Sequence, residues 1–226
     1  MLIKLAIESL KDRKESIILA LIGMTISIFV LFGVEHIRQQ TKKSFVNALS
    51  GTDLIIGART SNINLLLYSV FRLGSPTNNI SWNSFKKISS EKAIEWAIPI
   101  SLGDSHKSFP VIGTNINYFK YFKYGAGRTL SLLKGTVFDK PFDIVIGHQV
   151  ARKLKYKLGD NIYLSHGLSG TSFSLHKNYP FRIVGILAPT GTPVDRTLHI
   201  SWKGIELIHR NDQTLDRKTI KDPDEI

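Results

Sequence analysis

The hydrophobic pattern divides this chain at one place. From Ile17 to Val34 the sequence IILALIGMTISIFVLFGV carries no charge. At 1.5 Å per residue such a run spans about 27 Å, close to the hydrocarbon core of a bilayer. It is the single run of this kind in the sequence, so Ile17, Leu21, Ile28 and Val34 are assigned to a transmembrane helix over 17–34. A secretory signal is the competing reading, but Glu35-His36-Ile37-Arg38 offers no small-residue cleavage site, which favours an uncleaved anchor. A buried core helix seldom runs this long without a charge. Before the run, Ile3, Ile7 and Leu10 share one helical face and Lys4, Glu8, Lys11 and Glu15 the other. Residues 1–16 therefore read as an amphipathic helix at the headgroup plane, or as a frayed extension of the span.

Beyond the run the periods change. Ile37, Thr41, Phe45 and Ala48 continue a helical face as a stalk, stopped at Ser50-Gly51. Asp53–Ile56 is a short strand candidate ended by Gly57. Ile63–Leu73 (INLLLYSVFRL) is unusually apolar and helical in period. Core packing is its simpler reading; an apolar surface for cargo or a partner, presented by Leu66, Leu67 and Phe71, is the sharper one. Ser81 caps a short helix through Ile88. Ala93–Ser101 and Phe109–Ile112 read as strands turned at Gly103-Asp104, and Asn115–Phe122 as an aromatic-rich helix. Then come a strand at Phe142–Ile146, a helix at His148–Lys157 and strands at Asn161–Ser165, Phe173–Leu175, Phe181–Leu187 and Thr197–Trp202. Residues 210–226 are charged and aperiodic, a tail or the start of a further membrane part. The expected class is α+β: one N-terminal transmembrane helix, then a mixed α/β domain over 35–209.

Composition refines this picture in two places. Of the net charge of +12, residues 35–226 hold +11. The basic residues are scattered and no nucleic-acid motif appears, so the excess suits a domain held beside anionic headgroups better than nucleic acid. Lys4, Lys11, Arg13 and Lys14 precede the span and Arg38, Lys42 and Lys43 follow it, a small bias toward a cytoplasmic N-terminus. The chain has no cysteine, hence no disulfide, thiolate nucleophile or Cys-based zinc site.

Catalytic signatures are lacking. No GxxxxGK[ST], HExxH or GxSxG occurs, and Gly125-Ala-Gly127 is no dinucleotide fingerprint. No catalytic residue, cofactor or metal is expected in this chain. His166 and His176 flank a Gly/Ser-rich loop and could meet across it, but zinc needs further ligands, and solvated loop histidines are the simpler reading. Asn79-Ile-Ser81 matches a glycosylation sequon, though a helix cap suits Ser81 better.

Three stretches together resemble a known family: GTDLIIGAR after the first membrane helix, IVIGHQVARKLKYKLGDNIYLS, and FRIVGILAPTGTPVDRTLHIS. They are similar to the N-terminal half of MacB/LolC/FtsX-type (type VII, mechanotransmission) ABC transporter permeases, over roughly residues 1–205. The signature positions are Gly51, Asp53, Gly57, Gly147, Ala151, Leu154, Gly159, Asp160, Gly185, Gly191 and Asp195. The resemblance implies a two-lobed periplasmic domain inserted after membrane helix one, in the bacterial inner membrane. It implies three further membrane helices, which are not in this sequence, so the chain is expected to be the N-terminal portion of a permease or a truncated reading frame. It implies a separate ABC ATPase that uses the ATP, and a permease homodimer or heterodimer.

Two functions of different kind follow. One is a permease subunit moving a substrate by mechanical coupling to its ATPase. The alternative is a single-pass interaction or regulatory protein that recruits an envelope partner. A ligand sensor would need a cytoplasmic output module, for which the sixteen residues before the span leave no room.

Overall fold

The computed structural model describes residue 8 and residues 11–48, 50–74, 78–167 and 179–209. The strand expected at Phe173–Leu175, the tail after 209, His176 and most of the N-terminal amphipathic segment lie outside these residues. The chain forms two compact units, Met1–Phe45 and Val46–Ile226.

The first unit is the body of helix α1, Lys14–Ala48, whose 35 residues make it about 52 Å long. Its most apolar window has a mean hydropathy of 2.7 and buries no residue. Leu19, Phe29, Leu31 and Phe32 are each about 70% exposed or more, on every side of the helix. A water-facing helix would not show such a surface; a lipid-facing one would. Two polar side chains in the run turn inward on their own backbone: Thr25 Oγ1 donates to the Leu21 carbonyl and Ser27 Oγ to that of Gly23. Both hydroxyls of the run are thus satisfied within the helix itself.

The second unit is an α+β domain. Its elements are α2 (Asn62–Ser69), α3 (Trp82–Ser89), β1 (Ser101–His106), β2 (Phe109–Thr114), α4 (Asn117–Tyr121), β3 (Lys123–Tyr124), β4 (Arg128–Thr129), β5 (Leu132–Gly135), β6 (Asp143–Ile146), α5 (His148–Leu154), β7 (Asn161–Ile162), β8 (Ser165–His166), β9 (Phe181–Leu187) and β10 (Leu198–Ser201). A helix over 202–209 follows. One mixed sheet runs β5-β9-β6-β10-β2-β1-β8, with β7 beside the start of β9; β3 and β4 form a separate hairpin. The β6–β9 and β10–β2 pairs are parallel, the other pairs antiparallel.

Alternation along the central strands supplies both faces of the core. Ile144, Ile146, Leu198, Ile200, Phe181 and Ile183 pack with Val150 of α5 and Ile208 on one side. Val145 and Leu187 pack with Phe138 and Val194 on the other, against Phe119 and Phe122. A period of two thus places each strand between two apolar layers.

Four expected elements differ. The turn expected at Gly103-Asp104 lies at Lys107-Ser108, whose φ values of 47° and 65° suit a two-residue hairpin turn. Gly103 and Asp104 instead form an irregularity inside β1, where the register with β2 shifts between Leu102 and Ser105. Asp53–Ile56 forms no strand, because no strand among the described residues pairs with it; Leu54 is 71% exposed. Among the described residues no strand pairs with 93–100 either, which has a turn at 93 and a bend at 95, and β1 begins only at Ser101. The α5 helix ends at Leu154, three residues short of the expected Lys157, because Lys155 turns left-handed at φ 57° and closes it.

Candidate functional site

The extended segment that follows Gly51 forms one wall of a groove of about 780 Å³. Residues 52–60 line it together with one side of α2, with α3, with 93–102 and with Trp202 and Ile205 of the last helix. Each wall has a local cause. Gly51 turns the chain at φ 72°. Gly57 lets the backbone lie against Leu65, whose side chain a Cβ there would strike. Ser61 caps α2 by accepting from the Asn64 N–H at 3.2 Å, and Ser81 caps α3 by accepting from the Ser84 N–H at 3.1 Å.

All three tryptophans of the chain line the groove. Trp82 stacks on Trp202 with ring centroids 4.2 Å apart and on Phe85 at 4.9 Å; Trp96 stacks on Tyr121 at 5.6 Å. The Trp82–Trp202 stack joins the helical segment to the end of the sheet. Sequence reasoning missed these rings; the scarcity of tryptophan was the signal available.

The apolar run behaves in neither of the two simple ways. No residue of α2 is buried, Ile63 is 71% exposed, and Leu66, Leu67 and Phe71 are half-buried outside the groove lining. Leu65, Tyr68, Ser69 and Val70 line it instead. Asp53 also faces the groove, with Arg59, Glu95 and Glu206. Among the described residues the lining contains no histidine, lysine or cysteine, so these offer no serine–histidine or thiolate pair for covalent chemistry. Its chemistry is that of a binding surface: apolar walls, stacked aromatic rings and a few carboxylates.

The remaining signature residues lie in the sheet and act on its backbone. Gly147 precedes α5, and a Cβ there would run into the carbonyl oxygens of Val194 and Asp195; Gly185 stands in the same relation to the Thr136 carbonyl. Asp195 is 3% exposed and accepts from the Thr190 N–H and Oγ1 at 2.8 Å each and from the Gly191 N–H at 2.9 Å, so one carboxylate shapes the 190–196 turn. Gly191 takes φ 71° there. Asp160 accepts from the Lys157 N–H at 2.8 Å and Gly159 turns at φ 90°, while Ala151 and Leu154 pack on the core.

Beneath the sheet, on the α4 side, lies a polar knot the sequence did not reveal. Arg72, Tyr118 and His199 are all buried. Burial pushes the His199 pKa down to about 3; the Arg72 charge pushes the same way, and a bond from Nδ1 to the Val145 carbonyl at 3.2 Å opposes both. Burial raises the Tyr118 pKa, against the neighbouring Arg72 charge. His199 is therefore neutral, and its ring packs among Tyr118 and Phe119.

The pairing considered for His166 with His176 lies outside the described residues. His166 meets Asp104, its cross-strand partner, at 3.1 Å, and His209 lies 3.7 Å from the same carboxylate oxygen.

Residues 17–220 match the MacB-like periplasmic core domain family. Among solved structures the chain is similar to the extracellular domain of the noncanonic ABC-type transporter YknZ from Gram-positive bacteria, at 13% identity and a TM-score of 0.38 over 57% of this chain and 65% of that one. It is also similar to the periplasmic region of MacB from Actinobacillus actinomycetemcomitans, at 15% identity and a TM-score of 0.38 over 56% of this chain and 57% of that one. The chain thus spans less than two thirds of either structure. No curated protein matches its sequence.

Proposed function

The chain belongs to the family of MacB-like periplasmic core domains of ABC transporter permeases, and from that premise we propose that it is the membrane-anchored, far-side part of an ATP-driven envelope transporter. The observation that supports this most is the unbroken helix Lys14–Ala48. About 27 Å of its length suffices for the apolar run, and about 20 Å more continues as a stalk. A rigid helix of that length carries displacement from one side of a bilayer to the other without any catalytic side chain. In this reading the N-terminus is cytoplasmic and residues 35–209, stalk included, are periplasmic. A partner ABC ATPase hydrolyses ATP, the permease works as a dimer, and the groove holds part of the cargo or of an envelope partner.

The test is affinity isolation of the tagged chain from native membranes after alkaline carbonate washing. The expected result is retention in the membrane and recovery of an ABC ATPase with it. A Gln39→Pro, Gln40→Pro variant, which breaks the stalk, should keep the ATPase bound and abolish transport. Release of the chain by carbonate, or recovery of envelope proteins without an ATPase, would overturn the transporter reading in favour of a peripheral or purely regulatory protein.

A further inference from the structure

Among the described residues, one group of side chains has the composition and spacing of a metal site: Asp104, His166 and His209. We propose that these three bind a divalent transition-metal ion of the zinc class and that the ion clips the end of the last helix to the outer edge of the sheet.

The argument starts in the backbone. The irregularity in β1 at Leu102–Ser105 places Asp104 opposite His166 of β8, and the Gly167 N–H bonds the Gly103 carbonyl at 2.8 Å to hold the strands in that register. The helix over 202–209 brings His209 to the same point. The ligand atoms, one from each residue, all lie within 4.8 Å of one another. Asp104 Oδ1 is 3.1 Å from His166 Nδ1 and 3.7 Å from His209 Nε2. A tetrahedral zinc ion with bonds of about 2.0–2.1 Å holds its ligand atoms about 3.3 Å apart. The observed separations bracket that value.

The orientation of the His209 ring suits a ligand. His209 Nδ1 donates to the Ile205 carbonyl at 2.9 Å. That bond leaves Nε2 as the ring nitrogen aimed at Asp104. An outer N–H held by a backbone carbonyl is also how ligating histidines are oriented in metal sites. The Asp104 side chain is 1% exposed, so its carboxylate is held in one place between the two rings. Both imidazoles are 39% exposed, which provides an entry path and room for small ring rotations. Three protein ligands leave one position for water or an exchangeable ligand, the pattern of a reversible rather than a sealed site. Two imidazoles and one carboxylate select zinc-like ions over magnesium, which takes oxygen ligands and retains its water.

The test uses the full chain in detergent, stripped with chelator and titrated calorimetrically with Zn²⁺, with Mg²⁺ as the comparison and Co²⁺ as a spectroscopic reporter. One equivalent of Zn²⁺ should bind and Mg²⁺ should not. Co²⁺ should give the intense visible bands of a tetrahedral site. Zinc at about a hundredfold excess over its Kd should raise Tm by about 5 °C or more. His166→Gln and His209→Gln should each weaken zinc about a hundredfold or more while the metal-free protein still melts cooperatively. His36→Gln, in the stalk, should leave affinity unchanged. Stoichiometric zinc binding that survives both ligand variants would overturn the assignment, as would a protein that binds no zinc, or binds magnesium equally well.

Discussion

Two stretches of the second unit have similar apolar content and opposite fates. Residues 135–201 bury almost every aliphatic side chain of their central strands, with Ile144, Val145, Ile146, Leu198 and Ile200 fully buried. Residues 52–100 bury only Arg72 among those described, while Leu54, Ile56, Ile63, Ile80 and Trp82 remain 38% to 71% exposed. The difference is backbone pairing. A strand enters a core only if its N–H and C=O groups are satisfied by neighbours, and 143–146 has β9 on one side and β10 on the other. Residues 52–57 have no such neighbour among the described residues and lie along a groove. Apolar side chains decide what is attracted to an interior; the ladder decides what can go there.

That contrast is most severely tested at Gly147. A side chain there meets two backbone carbonyl oxygens that cannot swing away, at the junction of β6, α5 and the 190–196 turn. Gly147→Val should cost more than the about 1–3 kcal/mol usual for overpacking and leave no cooperative thermal transition. By comparison Gly159→Ala meets no neighbour and bears only the left-handed backbone penalty, about 1–2 kcal/mol. Equal melts for the two variants would contradict the tight packing of Gly147.

Acid should come next. His199 has a folded pKa of about 3 against an unfolded value of 6.5. The unfolded chain therefore binds the proton first. Stability is complete above pH 6.5 and falls as pH drops from 6.5 toward 3, by about 1.4 kcal/mol per unit and about 5 kcal/mol in all. Burial also depresses His106, which acts in the same direction. His199→Phe should flatten much of this slope in denaturant titrations between pH 7 and 4, and an unaltered slope would remove His199 as its cause.

Ordinary core truncation is smaller and more certain in sign. Ile200→Ala in β10, fully buried between β6 and β2, should lose about 2–5 kcal/mol with unchanged m-value.

How far these regions could be foreseen follows the same division. β6, β9, β10 and α5 are legible because alternation and helical period are strong and glycines punctuate them. The apolar run 17–34 is legible by length. The signature glycines are marked by type, and the structure gives the reason as carbonyls pressing on Gly147 and Gly185. Asp53–Ile56 misleads because a short apolar run looks the same whether or not a partner strand exists. The Trp82–Trp202 stack, the Arg72–Tyr118–His199 knot and the Asp104–His166–His209 cluster each join residues dozens of positions apart. No local pattern encodes such a meeting; it depends on sheet order, which periodicity does not contain.

The smallest stability effect, and the one that most sharpens the contrast, belongs to the groove. Leu54 and Ile56 are 71% and 46% exposed and pair with no strand. Leu54→Ser and Ile56→Ser should change stability by no more than about 0.5 kcal/mol, as surface changes do. Leu66→Ala and Phe71→Ala, half-buried behind the groove, should fall between these and Ile200→Ala. The same Leu54 and Ile56 changes should nonetheless impair transport or recovery of the envelope partner, because they remove the apolar wall without loosening the sheet. Thermal melts and the transport assay on one set of variants separate the two effects. Loss of more than about 2 kcal/mol at Leu54 would place 52–57 in the core after all; full activity with unchanged melts would leave the groove without a role in binding.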